Sequence, residues 1–463
     1  MLNSFRRRSG GRNPLQGAKP SGPRGGLLLG HLRLVQRDPL GFFTTLAREH
    51  RPIAHYRLGF FRAFLISQPE HIKHVLQDHQ KNYSKDVLDY RILKWLLGDG
   101  LLTSGGPFWL RQRRLVQPAF HRERIEAYGK IMTDAAEAML ARRGAAAAQG
   151  RPLELMQEMM GLTLQVVGRA LFGSNMQEEI AAVTRSFSYL NADLSARMFA
   201  LRFIPPVLPT RRDRAFRAAL CELDSVVSQV ITERRRTGAD TGDLLSLLLH
   251  ARDEETGEQM SDRQLGDEVR TLLLAGHETT ALALTWTWYL LSQHPEVEER
   301  LRAELASVLG GRTPDVQDLP KLAFTRMVIE EAMRLYPPAW GVTRKVVADD
   351  VIGGFLIPAG SIVAVSPYVT HRHPDVWENP ERFDPDRFAP QHDAARPRYA
   401  YFPFLGGPRQ CIGNSFAMTE ALLILATIAQ RYRLRLVPNH PVAPEALITL
   451  RPRHGMLMML HPA

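Results

Sequence analysis

Cysteine is scarce in this sequence: Cys221 and Cys411 are the two thiols in 463 residues. Two thiols cannot staple a chain of this size, which excludes a disulfide scaffold. A signal-peptide core is missing too. After Arg6, Arg7 and Arg8 the leader stays polar and rich in Gly and Pro, and Leu27-Leu28-Leu29 falls far short of the ~20 apolar residues of a bilayer span. Repeats with a period of about 20–50 residues are absent, as are low-complexity tracts beyond the leader. Acidic residues are the minority, 48 against 59 Lys and Arg, for a formal charge of +11. That excess fits an acidic partner surface, nucleic acid or a membrane face without choosing between them. What is present is ordinary globular composition, 44% hydrophobic and 23% charged, enough for one large domain or for two or three ordinary ones.

The segment Thr271–Ser292, TLLLAGHETTALALTWTWYLLS, imitates a membrane helix. His277, Glu278, Thr279 and Thr280 sit near its middle, where charge is expensive in lipid and marks function. The better reading is a long helix through the centre of a large core. Helical spacing runs from Pro69 to Leu309, with breaks at Pro205-Pro206 and Pro209. His294-Pro295 and Pro337-Pro338 close two helices. Strand patterns cluster at Ile53–Ser67, a hairpin with Gly59 near its turn, and at Val342–Pro367, two or three strands. After Trp377 the chain is irregular as far as Cys411, and a helix follows from about Ile412 to Tyr432. The expectation is a mainly α fold with small β regions. It forms a single large domain over residues 39–463, behind a flexible basic leader at 1–38.

The strongest local signal is Phe404-Leu405-Gly406-Gly407-Pro408-Arg409-Gln410-Cys411-Ile412-Gly413. Gly406, Gly407 and Pro408 let the backbone turn tightly and approach a flat ligand. Cys411 lies where a helix begins, which favours thiolate over thiol, and Arg409 adds a cation. An ordinary glycine turn before a helix with a buried cysteine accounts for the same features. The pattern resembles the haem-binding loop of the cytochrome P450 family at every fixed position. That resemblance implies heme b with Cys411 as axial iron ligand, its electron donation favouring O–O cleavage. It further implies Phe404 and Gly413 on the cofactor side, Arg409 on a haem propionate and Cys221 as a bystander.

Other motifs follow in family order. Ala275-Gly276-His277-Glu278-Thr279-Thr280 resembles the oxygen-activating segment. Ala275 and Thr279, four apart, share a helix face. Gly276 removes bulk where a ligand must fit, a threonine hydroxyl can bond back to a carbonyl, and Glu278 supplies an acid to relay protons. A helix cap would explain the threonines, but apolar runs on both sides oppose it. Glu331 and Arg334, at i, i+3, stand side by side and, followed by Leu335-Tyr336-Pro337-Pro338, resemble the family's buried structural pair. Two segments compete to supply a second arginine, Pro380-Glu381-Arg382-Phe383 and Pro385-Asp386-Arg387-Phe388. In the family a Pro-x-x-Phe-x lead-in precedes the motif and Pro380–Asp384 supplies it, so the resemblance implies Arg387 and makes Arg382 a decoy. Trp109 and Arg113 share a helix face and resemble the propionate clamp. The histidine usual shortly before that tryptophan is missing from Ser104–Phe108, and Arg344 is a replacement or addition. His371-Arg372-His373 lacks further ligands at metal-site spacing.

The resemblance implies insertion of one oxygen atom from O2 into an apolar organic substrate of fatty acid, terpenoid or polyketide class. Electrons come ultimately from NAD(P)H. With no room for a reductase domain in 463 residues, a ferredoxin or flavodoxin-type donor and its reductase deliver them. The basic stretch Arg111, Arg113, Arg114, Arg122 and Arg124 then suits an acidic donor better than nucleic acid. A monomeric cytoplasmic protein without a transmembrane anchor is expected. The pocket should draw on Lys85–Leu102, Tyr189–Pro209, Leu272–Thr279, residues after Pro338, and Leu447–Met456, with Tyr90, Trp95, Met198, Phe199, Phe203 and Trp340 among its apolar groups. Two competitors remain: a haem-thiolate peroxygenase or isomerase without O2 chemistry, and a non-catalytic haem sensor or electron carrier. The Glu278–Thr279 pair argues against the first, and a small-residue helix face beside the iron against the second.

Overall fold

The computed structural model describes residues 17–173, 178–200, 205–252 and 257–463. Eight of its helices position the site: α1 (Leu88–Leu97), α2 (Gly106–Val116), α3 (Leu155–Phe172), α4 (Ile180–Phe199), α5 (Arg211–Thr237), α6 (Asp262–Gln293), α7 (Ala323–Leu335) and α8 (Asn414–Ala429). The expected mainly α architecture is present. No helix among the described residues is long and apolar enough to cross a membrane.

Helix α6 is the axle. The Ser261 side chain caps it by accepting from the Gln264 N–H, and it stops at His294, ahead of Pro295. Its apolar residues point all round rather than along one stripe, so it must be buried on every side. Leu282, Leu284, Trp286 and Trp288 are all sealed in the core. The Trp286 ring stacks on Tyr336 at 4.1 Å and donates its N–H to the Leu450 carbonyl at 3.0 Å. Burying one such ring stabilises by up to about 4–6 kcal/mol.

The β part is small and lies at one edge. A five-stranded sheet joins β1 (Ile53–Leu58), β2 (Phe61–Ile66), β3 (Tyr83–Ser84), β4 (Val342–Val346) and β7 (Ile362–Val365) in the order β1-β2-β7-β4-β3. A separate hairpin joins β5 (Asp350–Ile352) and β6 (Phe355–Ile357). The expected hairpin is β1–β2, turning at Gly59 with φ 56°. Pairing of β3 with β4 brings residues near 84 to residues near 345, which matters for the site.

The leader reading needs correction over part of its length. Residues 1–16 lie outside the described residues. From Ala18 on, the chain is tied to the β region: the Ala18 N–H donates to the Gly354 carbonyl at 2.9 Å, and the His55 N–H donates to the Ser21 carbonyl at 2.7 Å. A Cβ on Gly22 would fall 1.9 Å from the His55 carbonyl oxygen, so only glycine fits there. A short helix, Leu32–Arg37, then buries Leu32 and Val35.

Candidate active site

The cysteine loop is shaped by close approaches. A Cβ on Gly407, at φ 67°, would lie 2.0 Å from the Leu76 carbonyl oxygen, and one on Gly406 would strike the Tyr399 ring. The Cys411 N–H closes the loop by donating to the Phe404 carbonyl at 3.0 Å. Cys411 faces an internal cavity of about 500 Å³ while protein encloses it against bulk water. Burial pushes the thiol up, and the Gly413 N–H and the Arg113 charge only partly oppose it. The expectation that a helix N-terminus favours the thiolate is therefore corrected. Cys411 precedes α8 rather than lying in its first turn, and desolvation of the anion wins. A thiol so placed ionises readily only onto a cation, and a metal is one.

Across the cavity stands α6. Thr279 donates its hydroxyl to the Ala275 carbonyl at 2.8 Å, and both residues open onto the cavity. The helix runs unbroken through this point, and the bond leaves the hydroxyl oxygen free to accept. Gly276 lines the cavity too, and a Cβ there would meet Val167 of α3 at 3.0 Å, so its smallness also serves the packing of α3 on α6. Glu278 is not a free acid. Arg451 pairs with it, and the Asn191 amide donates to both carboxylate oxygens at 3.0 and 3.2 Å.

Cations gather at the cavity's third side. Arg409 lies over the Trp109 ring at 3.6 Å and donates to the Ser104 carbonyl at 3.1 Å. Arg113 donates to the Gln410 carbonyl at 2.9 Å, and Arg344 to the Tyr90 hydroxyl at 2.9 Å. Lys85, from the β3 side, donates to the Leu102 carbonyl at 2.6 Å. Burial, then the charges of Arg344, Arg409 and Arg113, push Lys85 well below the ordinary lysine range. Burial and Arg344 bring Arg409 down to about 10. Among the described residues none of these four forms an ion pair, although buried charges are ordinarily paired. A planar dianion, bearing two carboxylates beside a metal that takes a thiolate, supplies what the cluster lacks. The residues present fit a haem.

A family model described as "Cytochrome P450" matches residues 20–459. The chain is a cytochrome P450. It is 41% identical to cyclooctatin synthase of Streptomyces melanosporofaciens, over 92% of each chain. It is 37% identical to pentalenene oxygenase of Streptomyces avermitilis, over 91% of this chain and 93% of that one. A crystal structure of the cytochrome P450DA heme domain superposes with a TM-score of 0.87 at 28% identity, covering 97% of this chain and 99% of that chain. The protein is a haem-thiolate monooxygenase of apolar organic substrates. It takes its electrons from redox partners.

Behind the P450's cysteine loop, Arg334 and Glu331 are fully buried and paired at 2.6 Å. Arg387 Nε stands 3.5 Å from Glu331 Oε1, whereas Arg382 offers only its carbonyl, to Arg334 at 3.0 Å. Of the expected pocket groups, Tyr90, Met198, Phe199 and Trp340 line the cavity. Trp95 does not, and instead carries Arg197 over its ring at 5.9 Å. Met456 is core, and Phe203 lies outside the described residues. His371 is no metal ligand here: its Nε2 accepts from the Phe402 N–H at 2.9 Å. Cys221 is exposed on α5. Sequence reasoning held Lys85 and Arg451 only inside broad pocket segments and missed their roles, since each is a single basic residue in no motif whose partners lie across the chain.

Proposed function

We propose that this P450 hydroxylates a terpenoid-class hydrocarbon or alcohol, using b-type haem. Electrons from NAD(P)H come through a ferredoxin or flavodoxin-type donor. The observation that carries this reading is one apolar cavity with Cys411 and Thr279 both on its wall. Beyond the four-cation cluster, the charged groups lining it among the described residues are the acids Asp89 and Glu278. A fatty acid carboxylate finds no cation there, whereas a neutral polycycle needs none. The relatives named for cyclooctatin and pentalenene support the same choice.

In this reading Cys411 ligates the iron, with Phe404, Gly413 and Ala275 against the macrocycle. Trp109, Arg113, Arg344 and Arg409 hold the propionates, and Lys85 takes the place of the missing histidine. Bound haem supplies the activation of O2. Leu93, Leu272, Val167 and Ile448 hold the substrate and exclude water. Thr279 accepts and passes protons at its hydroxyl oxygen, and Glu278 feeds it when Arg451 lets go. Glu331, Arg334 and Arg387 hold the backbone behind the loop. The contact of Arg113 with Gln410 supports a donor docking at the basic stretch. The enzyme works as a cytoplasmic monomer, its haem domain taking in the chain from Ala18 on, behind a short basic leader.

Turnover of a terpenoid hydrocarbon by wild type and Thr279→Ala tests this. Wild type should convert most electron pairs to hydroxylated product, and the variant should divert at least half of them to peroxide. Equal coupling in the two would remove Thr279 from proton delivery. Faster turnover of a long-chain fatty acid would overturn the substrate class.

A further inference from the structure

Among the described residues, one group of imidazoles and a carboxylate lies apart from the haem site with its donor atoms close together. His74, His79 and Asp350 place them all within 4.8 Å of one another. Local backbone is the cause. The chain between β2 and β3 leaves a short helix, Pro69–Lys73, as a π-helical turn, His74–Asp78, closed by the His79 N–H on the His74 carbonyl at 2.9 Å. A π turn sets residue i+5 over residue i, where an α turn would set i+4. The rings of His74 and His79 accordingly stack, 3.9 Å between centroids and 7° apart. Asp350, at the start of β5, brings its Oδ2 to 2.9 Å from His74 Nε2. The Tyr83 hydroxyl donates to that same oxygen at 2.6 Å, and the Val351 N–H donates to Oδ1 at 2.8 Å.

We propose that His74, His79 and Asp350 bind a zinc-class divalent transition-metal ion, with solvent in the fourth position. Two imidazole nitrogens and one carboxylate oxygen form a zinc ligand set, and a hydroxyl on the carboxylate is the support such ligands usually have. Calcium and magnesium prefer oxygen-only shells. A tetrahedron on ~2.0 Å bonds has edges of about 3.3 Å, tighter than the observed spread. His79 is exposed and closes the gap by rotating its side chain, while His74 and Asp350 already stand together. Lys73, just ahead of the turn, is paired with Asp78 at 3.1 Å. The position is also telling. Leu76 of the same turn presses on Gly407, and Gln77 accepts from the Tyr399 hydroxyl at 3.0 Å. A bound ion braces the outside of the turn whose inside supports the cysteine loop.

Calorimetric titration of Zn2+ into the haem-loaded protein tests this, with His79→Ala, Asp350→Asn and, as a control on an exposed histidine elsewhere, His461→Ala. Wild type and His461→Ala should bind one equivalent with the same affinity and melt at a higher temperature with zinc. His79→Ala and Asp350→Asn should bind at least tenfold more weakly. His79→Ala keeps the Tyr83–Asp350–His74 hydrogen bonds, so its fold is not at stake. Undiminished affinity in His79→Ala, or no stoichiometric binding by wild type, would overturn the proposal.

Discussion

Arg334 and Arg409 are both arginines set against the cysteine loop, and they are treated in opposite ways. All five donors of Arg334 are used: two meet Glu331, and the others reach the carbonyls of His371, Pro380 and Arg382. Arg409 stands with Lys85, Arg113 and Arg344 on one side of the cavity, and among the described residues none of the four pairs with a carboxylate. The first arrangement is complete in itself and holds backbone. The second is left with excess positive charge in a low-dielectric place, a state that costs stability until an anion arrives. Saturated burial marks structure, and unsaturated burial marks a binding site.

Breaking the saturated side should have the largest effect. Arg334→Ala strands the Glu331 carboxylate and should cost about 3–5 kcal/mol, read as a lower denaturation midpoint and a collapsed yield of haem-loaded protein. Glu268 of α6 sharpens the comparison with an unsaturated acid: among the described residues it accepts only from the Leu101 N–H at 3.0 Å, and its other oxygen has no partner there. Burial raises it from 4.5 to about 7. Between those pH values the folded chain holds a proton that the unfolded chain has lost. Stability should therefore fall as pH climbs through that window, by about 3 kcal/mol at ~1.36 kcal/mol per unit. Glu268→Gln should flatten this part of the stability–pH curve, and an unchanged slope would remove Glu268 as its cause. The smallest effect belongs to the cation cluster. Arg409→Leu should leave the haem-free chain as stable as before or more so. It should also weaken haem binding about 10–100-fold, the equivalent of ~1.5–3 kcal/mol for a bond to a charged group. Destabilisation of the haem-free variant would show that the two clusters do not differ in kind.

The legible parts of this molecule are those written in adjacent letters. The loop from Phe404 to Gly413 and the Ala275–Thr280 segment each carry their geometry within a few residues. The choice of Arg387 over Arg382 was open to sequence because a lead-in sets the spacing, and Arg387 is the one whose guanidinium approaches Glu331. Partners remote in sequence were not legible. Lys85 reaches the cations because β3 pairs with β4, and nothing near Lys85 announces that. Arg451 meets Glu278 from the far end of the chain, so Glu278 read as a free acid. Gly276 was half legible for a related reason: a missing side chain does not say that Val167, as well as the cavity, takes up the space.

The amide of Asn191 ties α4 to α6 through Glu278. Helix α4 also supplies Ser195, Met198 and Phe199 to the cavity wall, so whatever moves that wall outward draws Asn191 off the acid and leaves Arg451 as its main holder. The same carboxylate thus registers the position of the roof above the substrate. A guest too large for the chamber would be felt at Glu278 before it reached the floor.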